Sequence, residues 1–242
     1  MTPTPLAETL ELPVRTILSQ IEETILARAE FDAAADVRTF RVLATDYTAL
    51  VFIRSLVSSL ERVAPGIRLR LEPGGLEDPG GRLQRGEIDL AIVPTRFSEP
   101  TNLPSQPLFT DRFVAVAWRG NAEVSDPLTW DEFHKLPYLS YRLGSVPSMV
   151  DALLEELGHG RQLDAVVEGF VVGALLIRGT RQITFLQERL AQTLREVGEL
   201  RLLVPPLDIP PLVETMVWHP RADHDPAHRW LRDHVAAVAS QL

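Results

Sequence analysis

The sequence has 242 residues, of which 45% are hydrophobic and 24% charged, and its formal net charge at pH 7 is -9. A chain of this length can bury one large core or two lobes of roughly 100 residues each. The acidic balance and the lack of Lys or Arg runs disfavour direct binding to nucleic acid. The absence of Cys excludes disulfides, thiolate metal sites and cysteine nucleophiles.

The N-terminal segment predicts an amphipathic helix between residues 6 and 29. Apolar residues recur there three or four positions apart, at Leu10, Val14, Ile17, Ile21 and Ile25. Such a stripe is typical of a helix that lies on its own domain, and also of a short two-helix dimer seam. The segment lacks the regions of a signal peptide, and no apolar stretch approaches the roughly 20 residues that span a bilayer. We therefore expect a cytoplasmic protein without membrane contact.

Alternating strand and helix patterns follow a small-residue joint at positions 32–36. A strand over 39–44 leads to a helix that Thr45 or Asp46 can cap and that Pro65 and Gly66 end. Further strands are predicted over 67–71, 88–93 and 113–118, with a Gly/Pro loop over 73–81. Helical crossovers between such strands favour a parallel sheet.

A second series of elements is predicted from Gly120 onward. Its strands cover 138–141, 163–168, 182–185 and 200–204, and its helices lie near 130–134, 149–157, 171–177 and 187–197. The Pro-rich stretch 205–211 then leads to a last strand over 213–218 and a last helix over 226–240. The order of elements therefore predicts an α/β protein with two lobes.

Signatures of catalysis, nucleotide binding and metal binding are missing from the sequence. It has no G-x-S-x-G, H-E-x-x-H, Walker or G-x-G-x-x-G motif. His219, His224 and His228 are close in sequence but include no helical pair four residues apart, so we interpret them as surface histidines. We expect no enzyme activity, no cofactor and no metal. An enzyme on this scaffold would instead show turnover that is lost when Asp46 or Ser140 is replaced.

Polar residues follow three of the predicted strands. They are Thr45 to Thr48 after the first strand, Pro94 and Thr95 after the third, and Ser140 to Arg142 in the second lobe. Open α/β sheets bind ligands at the carboxyl ends of their strands, and a helix start there favours an anion. The same residues could serve only as helix caps. Polar strand ends on two lobes predict a cleft between the lobes.

Several segments together resemble the effector-binding domain of LysR-type transcriptional regulators. They are FRVLATDYTALVFIRSLVSSLERVAPGIRLRL, LQRGEIDLAIVP, FVAVAWRGNA, PLTWDEFHKLPYLSY, MVWHP and DPAHRWLR. The resemblance covers essentially Leu6 to the C-terminus and is strongest to the branch of nodulation and aromatic-degradation regulators. A solute-binding protein with the same fold is the alternative interpretation, which the missing signal peptide disfavours.

The resemblance implies a type 2 periplasmic-binding-protein-like fold, with two Rossmann-like lobes joined by crossover strands and preceded by a linker helix. On this basis residues 1–35 form the linker and dimerisation helix, 36–118 with 208–242 form lobe 1, and 119–207 form lobe 2. The resemblance also implies a small-molecule effector in the cleft and a homodimer or homotetramer. It implies contact with DNA only through a winged helix-turn-helix, which we expect to be missing from this chain.

The resemblance also assigns fourteen candidate ligand-binding residues to the cleft. Six belong to lobe 1: Thr45, Asp46, Tyr47, Thr48, Pro94 and Thr95. Eight belong to lobe 2: Ser140, Tyr141, Arg142, Phe170, Val171, Val172, Thr184 and Phe185. The aromatic members suit a flat aromatic or phenolic effector, whereas an effector carboxylate would bind Arg142 or the helix start at 45–48.

Overall fold

The computed structural model describes residues 10, 13–19, 21, 31–72, 76, 78–98, 102–143, 146–160 and 163–242. Residues 10, 13–19 and 21 are helical, which confirms a helix in the predicted N-terminal segment. The apolar stripe faces solvent, since Leu10, Val14, Ile17 and Ile21 are 48% to 54% exposed. Ile25 lies outside the described residues. Pairing of this helix with a second copy remains a prediction.

The first strand and helix of the body agree closely with the sequence pattern. Strand β1 (Arg38–Leu43) leads to helix α1, which runs through Asp46–Thr48, a π-helical stretch Ala49–Ile53 and Arg54–Val63. The apolar face of α1 packs inward, with Leu56 and Leu60 buried, as its spacing predicts.

The next segment departs from prediction at the Gly/Pro loop. After β2 (Ile67–Glu72), helix α2 (Pro79–Gln84) occupies part of the segment predicted as loop. The Asp78 side chain accepts a hydrogen bond from the Gly81 N–H and so caps α2, and Pro79 stands in its first turn. Both residues favour a helix start, and this signal outweighs the two glycines.

The remaining elements follow the predicted order, with two unpredicted strands and one unpredicted short helix. The strands are β3 (Leu90–Pro94), β4 (Ser105–Asp111), β5 (Phe113–Trp118), β6 (Leu139–Leu143), β7 (Val146–Pro147), β8 (Ala165–Glu168), β9 (Ile183–Gln187), β10 (Leu200–Leu203) and β11 (Leu212–Trp218). The helices are α3 (Thr95–Ser98), α4 (Trp130–Lys135), α5 (Met149–Glu156), α6 (Phe170–Leu176), α7 (Glu188–Leu194) and α8 (Pro226–Ala239). The sequence pattern did not predict β4, β7 or α3.

Sheet 1 has five strands in the order β2-β1-β3-β11-β4. The pairs β1 with β2 and β1 with β3 are parallel, as predicted, whereas β11 is antiparallel to both β3 and β4. The sheet is therefore mixed. Helices α1 and α8 pack on it, and the α8 cap residue Asp225 accepts two hydrogen bonds from Arg38 of β1.

Sheet 2 consists of two three-stranded parts, β10-β5-β9 and β7-β6-β8. A parallel bridge between Tyr138 and Ile183 joins the two parts, and the Thr184 hydroxyl donates to the Leu139 carbonyl beside it. Strand β5 lies here, paired with β9 and β10, and not with lobe 1 as we expected. The apolar sequence of β5 is compatible with either sheet, and only its pairing with other strands decides to which sheet it belongs. The chain therefore crosses between the sheets at Arg112, and the exact lobe limits remain a prediction.

One large hydrophobic core connects both sheets. On the side of sheet 1 it includes Phe40 of β1 and Leu56 of α1. On the side of sheet 2 it includes Phe133 of α4 and Leu186 of β9. A smaller cluster on the other face of sheet 1 includes Leu83 of α2. Burying each such side chain contributes about 1.5–3 kcal/mol. The strand ends that carry the candidate site are therefore held on a packed support.

Candidate functional site

A cleft lies where the carboxyl ends of β1 and β3 in sheet 1 face β6, β9 and the start of α6. Its cavity volume is about 40 Å³, which holds a few water molecules. Sixteen residues line it: Thr45, Tyr47, Pro94, Arg96, Phe97, Phe113, Tyr141, Pro147, Ser148, Met149, Val150, Phe170, Phe185, Gln187, Leu212 and Glu214. Because the cavity is narrow, a ring-sized ligand requires its walls to separate.

The polar residues after β1 cap α1. The Thr45 hydroxyl accepts a hydrogen bond from the Thr48 N–H at 3.2 Å and lies 3.0 Å from the Thr48 hydroxyl. The cap interpretation is therefore confirmed, while a ligand contact by Thr45 remains a prediction.

After β3, the Thr95 hydroxyl is 2.7 Å from the Thr215 hydroxyl and 3.1 Å from the Val213 carbonyl oxygen. Thr95 therefore connects β3 to β11.

Between residues that the structure describes, two hydrogen bonds cross the cleft. The Asp46 carboxylate accepts from the Val171 N–H at 2.8 Å, and the Arg96 guanidinium donates to the Pro147 carbonyl at 3.2 Å. The Tyr47 ring of α1 also meets the Phe170 ring of α6, with centroids 6.4 Å apart. These three contacts hold the two walls together, and we call them the cross-cleft contacts.

Aromatic side chains form the second wall. The rings of Tyr141 and Phe170 lie 5.2 Å apart between centroids. Gly173 permits this approach of α6 to β6, because a Cβ atom there would lie 2.2 Å from Tyr141 Cε1. An apolar wall of this kind suits a flat ring.

The floor of the cleft carries buried acidic and polar groups. Burial and the neighbouring Asp111 raise the pKa of Glu214 to about 8, so this carboxyl is neutral at pH 7. Burial also raises the pKa of Asp111, which accepts a hydrogen bond from the Tyr47 hydroxyl at 2.9 Å. Burial, together with Asp111 and Glu214, raises the pKa of Tyr47. At pH 7 Glu214 therefore keeps a proton that a water-exposed carboxyl group would lose.

The fourteen predicted residues fall into three groups. Six line the cleft: Thr45, Tyr47, Pro94, Tyr141, Phe170 and Phe185. Four adjoin it through the contacts given above or by their place in the chain: Asp46, Thr48, Thr95 and Val171. Four have their side chains elsewhere: Ser140, Arg142, Val172 and Thr184.

The last group is displaced for reasons of strand and helix geometry. Ser140 is buried and donates its hydroxyl to Asp151 of α5, because neighbouring strand residues point to opposite faces and Tyr141 takes the cleft side. Arg142 is exposed and borders a surface groove with Asp151. Val172 is 53% exposed, and Thr184 bonds to the Leu139 carbonyl.

Sequence reasoning missed several lining residues, above all Arg96, Gln187 and Glu214. Glu214 offered a signal, because it is a single acidic residue within the apolar strand LVETMVW. A buried acidic residue in mid-strand is uncommon and indicates a special environment. Gln187 ends β9 and offered no comparable signal.

The histidines and acidic residues of the described chain do not gather into a metal site. Among the residues that the structure describes, no group of three or more His, Cys, Asp or Glu side chains could hold a metal ion. The His219 ring accepts from the Arg221 N–H, and His228 is buried between the Asp89 carbonyl and Arg232. His228 is therefore not a surface residue, contrary to our interpretation. No helix in the described part of the chain is long and apolar enough to cross a membrane.

The sequence of residues 33–240 matches the family model described as "LysR substrate binding domain". The chain belongs to the LysR substrate-binding domain family. It is therefore the regulatory, effector-binding domain of a LysR-type transcriptional regulator, which decides against the solute-binding alternative. Proteins of this family are transcriptional regulators and generally not enzymes. The predicted type 2 periplasmic-binding-protein-like fold is confirmed.

Known relatives of this LysR domain agree with that assignment. Nodulation protein D 2 of Rhizobium tropici is 35% identical over 99% of this chain and 76% of its own length. A probable transcriptional regulator of Pseudomonas aeruginosa superposes with a TM-score of 0.84 at 27% identity, covering 98% of this chain and 80% of its own. The regulatory domain of MexT, a transcriptional activator in Pseudomonas aeruginosa, has a TM-score of 0.69 at 25% identity, with 83% and 100% coverage.

Proposed function

We propose that this LysR domain senses a small aromatic or phenolic effector in the cleft between its two lobes. The observation that carries the proposal is the set of aromatic rings on the two walls, Tyr47 on one side and Tyr141, Phe170 and Phe185 on the other, around a cleft at the carboxyl ends of the strands. This is the position at which open α/β sheets bind ligands. Rings of the wall can stack on a flat effector, and the polar floor can orient it.

Effector binding would act by changing the distance between the lobes. The proposed lobes meet at Arg112, between β4 and β5, and the cross-cleft contacts hold them together on the other side. A ligand shifts an equilibrium between open and closed forms only by its different affinity for the two. An effector too large for the present cavity therefore favours a more open arrangement.

The proposal is tested by a thermal-shift and calorimetric screen of small aromatic acids and phenols. An effector at 100 times its dissociation constant stabilises the fold by about 2.7 kcal/mol. Phe170→Ala should weaken binding about tenfold, through lost ring contact. Val172→Ala, on the same helix but 53% exposed, is the matched control and should bind normally. A panel without any signal, or equal losses in both variants, contradicts the proposal.

We further propose that the regulator acts in the cytoplasm as a homodimer or homotetramer, joined through the exposed stripe of the N-terminal helix. Four described apolar side chains of that stripe are about half exposed, which favours a partner helix. Contact with DNA would be made by a winged helix-turn-helix of the regulator, since this domain carries a net charge of -9.

The oligomer proposal is tested by analytical ultracentrifugation. Ile17→Asp should lower the average mass toward that of a monomer, because it places a charge in the apolar stripe. Arg15→Ala, about 200° around the helix from Ile17, should leave the mass unchanged. A wild-type chain that sediments as a monomer at all concentrations contradicts the proposal.

A further inference from the structure

Three buried polar atoms on the cleft lining have no hydrogen-bond partner. They are Glu214 Oε2, Gln187 Oε1 and the Tyr141 hydroxyl, in side chains of residues only 1% to 3% exposed. A buried polar group without a partner costs about 1–3 kcal/mol, so native proteins keep few of them.

These atoms are concentrated at the cleft. In the described part of the chain five buried side-chain atoms lack partners, and the other two, Arg189 Nε and His234 Nε2, belong to residues that do not line it. Unpartnered polar groups that converge on a cavity are typical of a site whose ligand supplies the missing bonds.

The chemistry of the floor favours one kind of ligand group. Glu214 and Gln187 present oxygen atoms, and a second carboxyl group, Asp111, lies close to Glu214. The Tyr47 hydroxyl and the Arg189 backbone N–H both donate to Asp111, so these donors are already engaged. A hydroxyl group can donate to such oxygens, whereas a carboxylate only accepts.

The charge of Arg189 acts on Asp111, but burial and Asp111 set the pKa of Glu214, and no described arginine lowers it. Arg96, which lines the cleft, donates to the Pro147 carbonyl across the cleft and not to a floor residue. Arg189 borders a different groove, with Arg112 and Glu188. An ionised carboxylate bound beside Glu214 would therefore lose its hydration without a cation next to it, and it would lie close to a second carboxyl group, Asp111.

We propose that Glu214 and Gln187 determine the specificity of the cleft by binding a hydroxyl group of an uncharged ligand and by excluding a carboxylate. The inference rests on the effector-binding function proposed above. It narrows the class of effector, because it excludes aromatic compounds that would place a carboxylate at the floor. The neutral state of Glu214 at pH 7 supports it, since this side chain then holds no charge that a ligand must match.

The test compares three probes of similar size: benzyl alcohol, benzoate and anisole. Each is titrated at about pH 7 into the full 242-residue chain, and binding is followed by chemical shifts of the cleft residues. Benzyl alcohol should bind about tenfold more tightly than benzoate or anisole, because only it donates a hydrogen bond without carrying a charge.

Two variants identify the residues responsible. Glu214→Gln replaces the protonated carboxyl group by an amide, which has two N–H donors and cannot ionise beside a bound carboxylate, so it should reduce the preference for alcohol over benzoate by about tenfold. Gln187→Leu should weaken the binding of benzyl alcohol about fivefold, because it removes a hydrogen-bond acceptor. Glu61→Gln, at an exposed position of α1, is the control and should keep the wild-type preference.

The possible results separate this inference from the proposed function. If the probes bind at the cleft and benzoate equals or exceeds benzyl alcohol, or if Glu214→Gln keeps the wild-type preference, the specificity assignment is wrong and effector binding stands. If no probe shifts any cleft residue, the aromatic effector function fails and the assignment fails with it.

Discussion

The Asp46 carboxylate accepts a hydrogen bond from the backbone N–H of Val171, a residue 125 positions further along the chain. The bond joins the first turn of α1 to the first turn of α6, across the candidate cleft. A second oxygen of the same carboxylate accepts from the Tyr47 N–H at 2.9 Å. One side chain therefore holds both its own helix start and the opposite wall.

Replacing Asp46 should loosen the cleft. Asp46→Ala leaves the Val171 N–H without its partner, at a cost of about 1–3 kcal/mol, whereas Asp46→Asn keeps one oxygen and should cost less. Hydrogen exchange of the Val171 amide should accelerate in the alanine variant. The Ile183 amide, which donates to the Pro137 carbonyl outside the cleft, should not change. Unchanged exchange at Val171 would contradict the cross-cleft role of Asp46.

Gly169 should tolerate no side chain. Its φ of 97° lies in the region that L-residues avoid, and a Cβ atom would lie 3.0 Å from Asp46 Oδ2. Gly169→Ala should lower the free energy of unfolding by about 1–3 kcal/mol. Gly158, with φ of 76° and nothing near its Cβ position, is the matched control. The excess loss in Gly169→Ala, measured by urea unfolding, combines the contact with Asp46 and the added strain of a backbone with φ of 97° and ψ of 132°. Equal losses would show that the contact has no energetic effect.

Glu214 should make stability fall as pH rises. In the folded chain its pKa is about 8, against 4.5 for an ordinary glutamate, so the folded state holds one more proton between these pH values. The free energy of unfolding should then decrease by up to about 1.4 kcal/mol per pH unit over this range. Glu214→Gln removes this pH dependence. The free energy of unfolding of the variant should therefore rise relative to that of the wild type from about pH 5 to about pH 8.

Urea unfolding at several pH values checks the Glu214 prediction. The exposed substitution Glu61→Gln serves as the control for the loss of one acidic residue. Parallel pH profiles of wild type and Glu214→Gln would mean that Glu214 is ionised in the folded protein.

The ion pair of Arg38 and Asp225 should stabilise the fold at neutral pH and lose its effect in acid. Burial alone would raise the pKa of Asp225, but the hydrogen bonds and charge of Arg38 lower it below 3.8. A lowered pKa means that the contribution is complete above about pH 4 and disappears as pH falls through the folded value. Arg38→Gln should therefore cost about 2 kcal/mol near pH 7 and less near pH 2.5.

A solvent-exposed ion pair provides the comparison for Arg38. Arg70 and Glu72, both on strand β2, form an ion pair, and the Arg70 side chain is 71% exposed. Arg70→Gln should cost at most about 0.5 kcal/mol, because water screens an exposed pair. Similar losses for the two variants, or a loss for Arg38→Gln that does not depend on pH, would refute the prediction.

Local patterns predicted most elements, since periodicity and caps are encoded within a few residues. The helix over 226–240 and the strand over 213–218 agree with α8 and β11 to within about one residue. Pairing was harder to predict. Nothing in the sequence of β5 states that its partners are β9 and β10, because those strands begin about 70 or more residues later.

The candidate site shows the same division between local and distant information. Thr45 and Tyr141 follow from strand ends, which a pattern reveals. Gln187 and Glu214 reach the cleft only because β9 and β11 return to it from distant parts of the chain. The face to which Ser140 points depends on strand register, which the pattern left undetermined.

Strand β11 occupies an interior position in sheet 1 although it is the last strand in the chain. During synthesis on the ribosome, β3 and β4 emerge about 100 residues earlier and have no direct pairing with each other. Until residue 218 has left the exit tunnel, β3 therefore presents an open edge that other nascent chains can pair with. Products that terminate before β11 should aggregate, which makes the C-terminal eighth of the chain a requirement for folding yield.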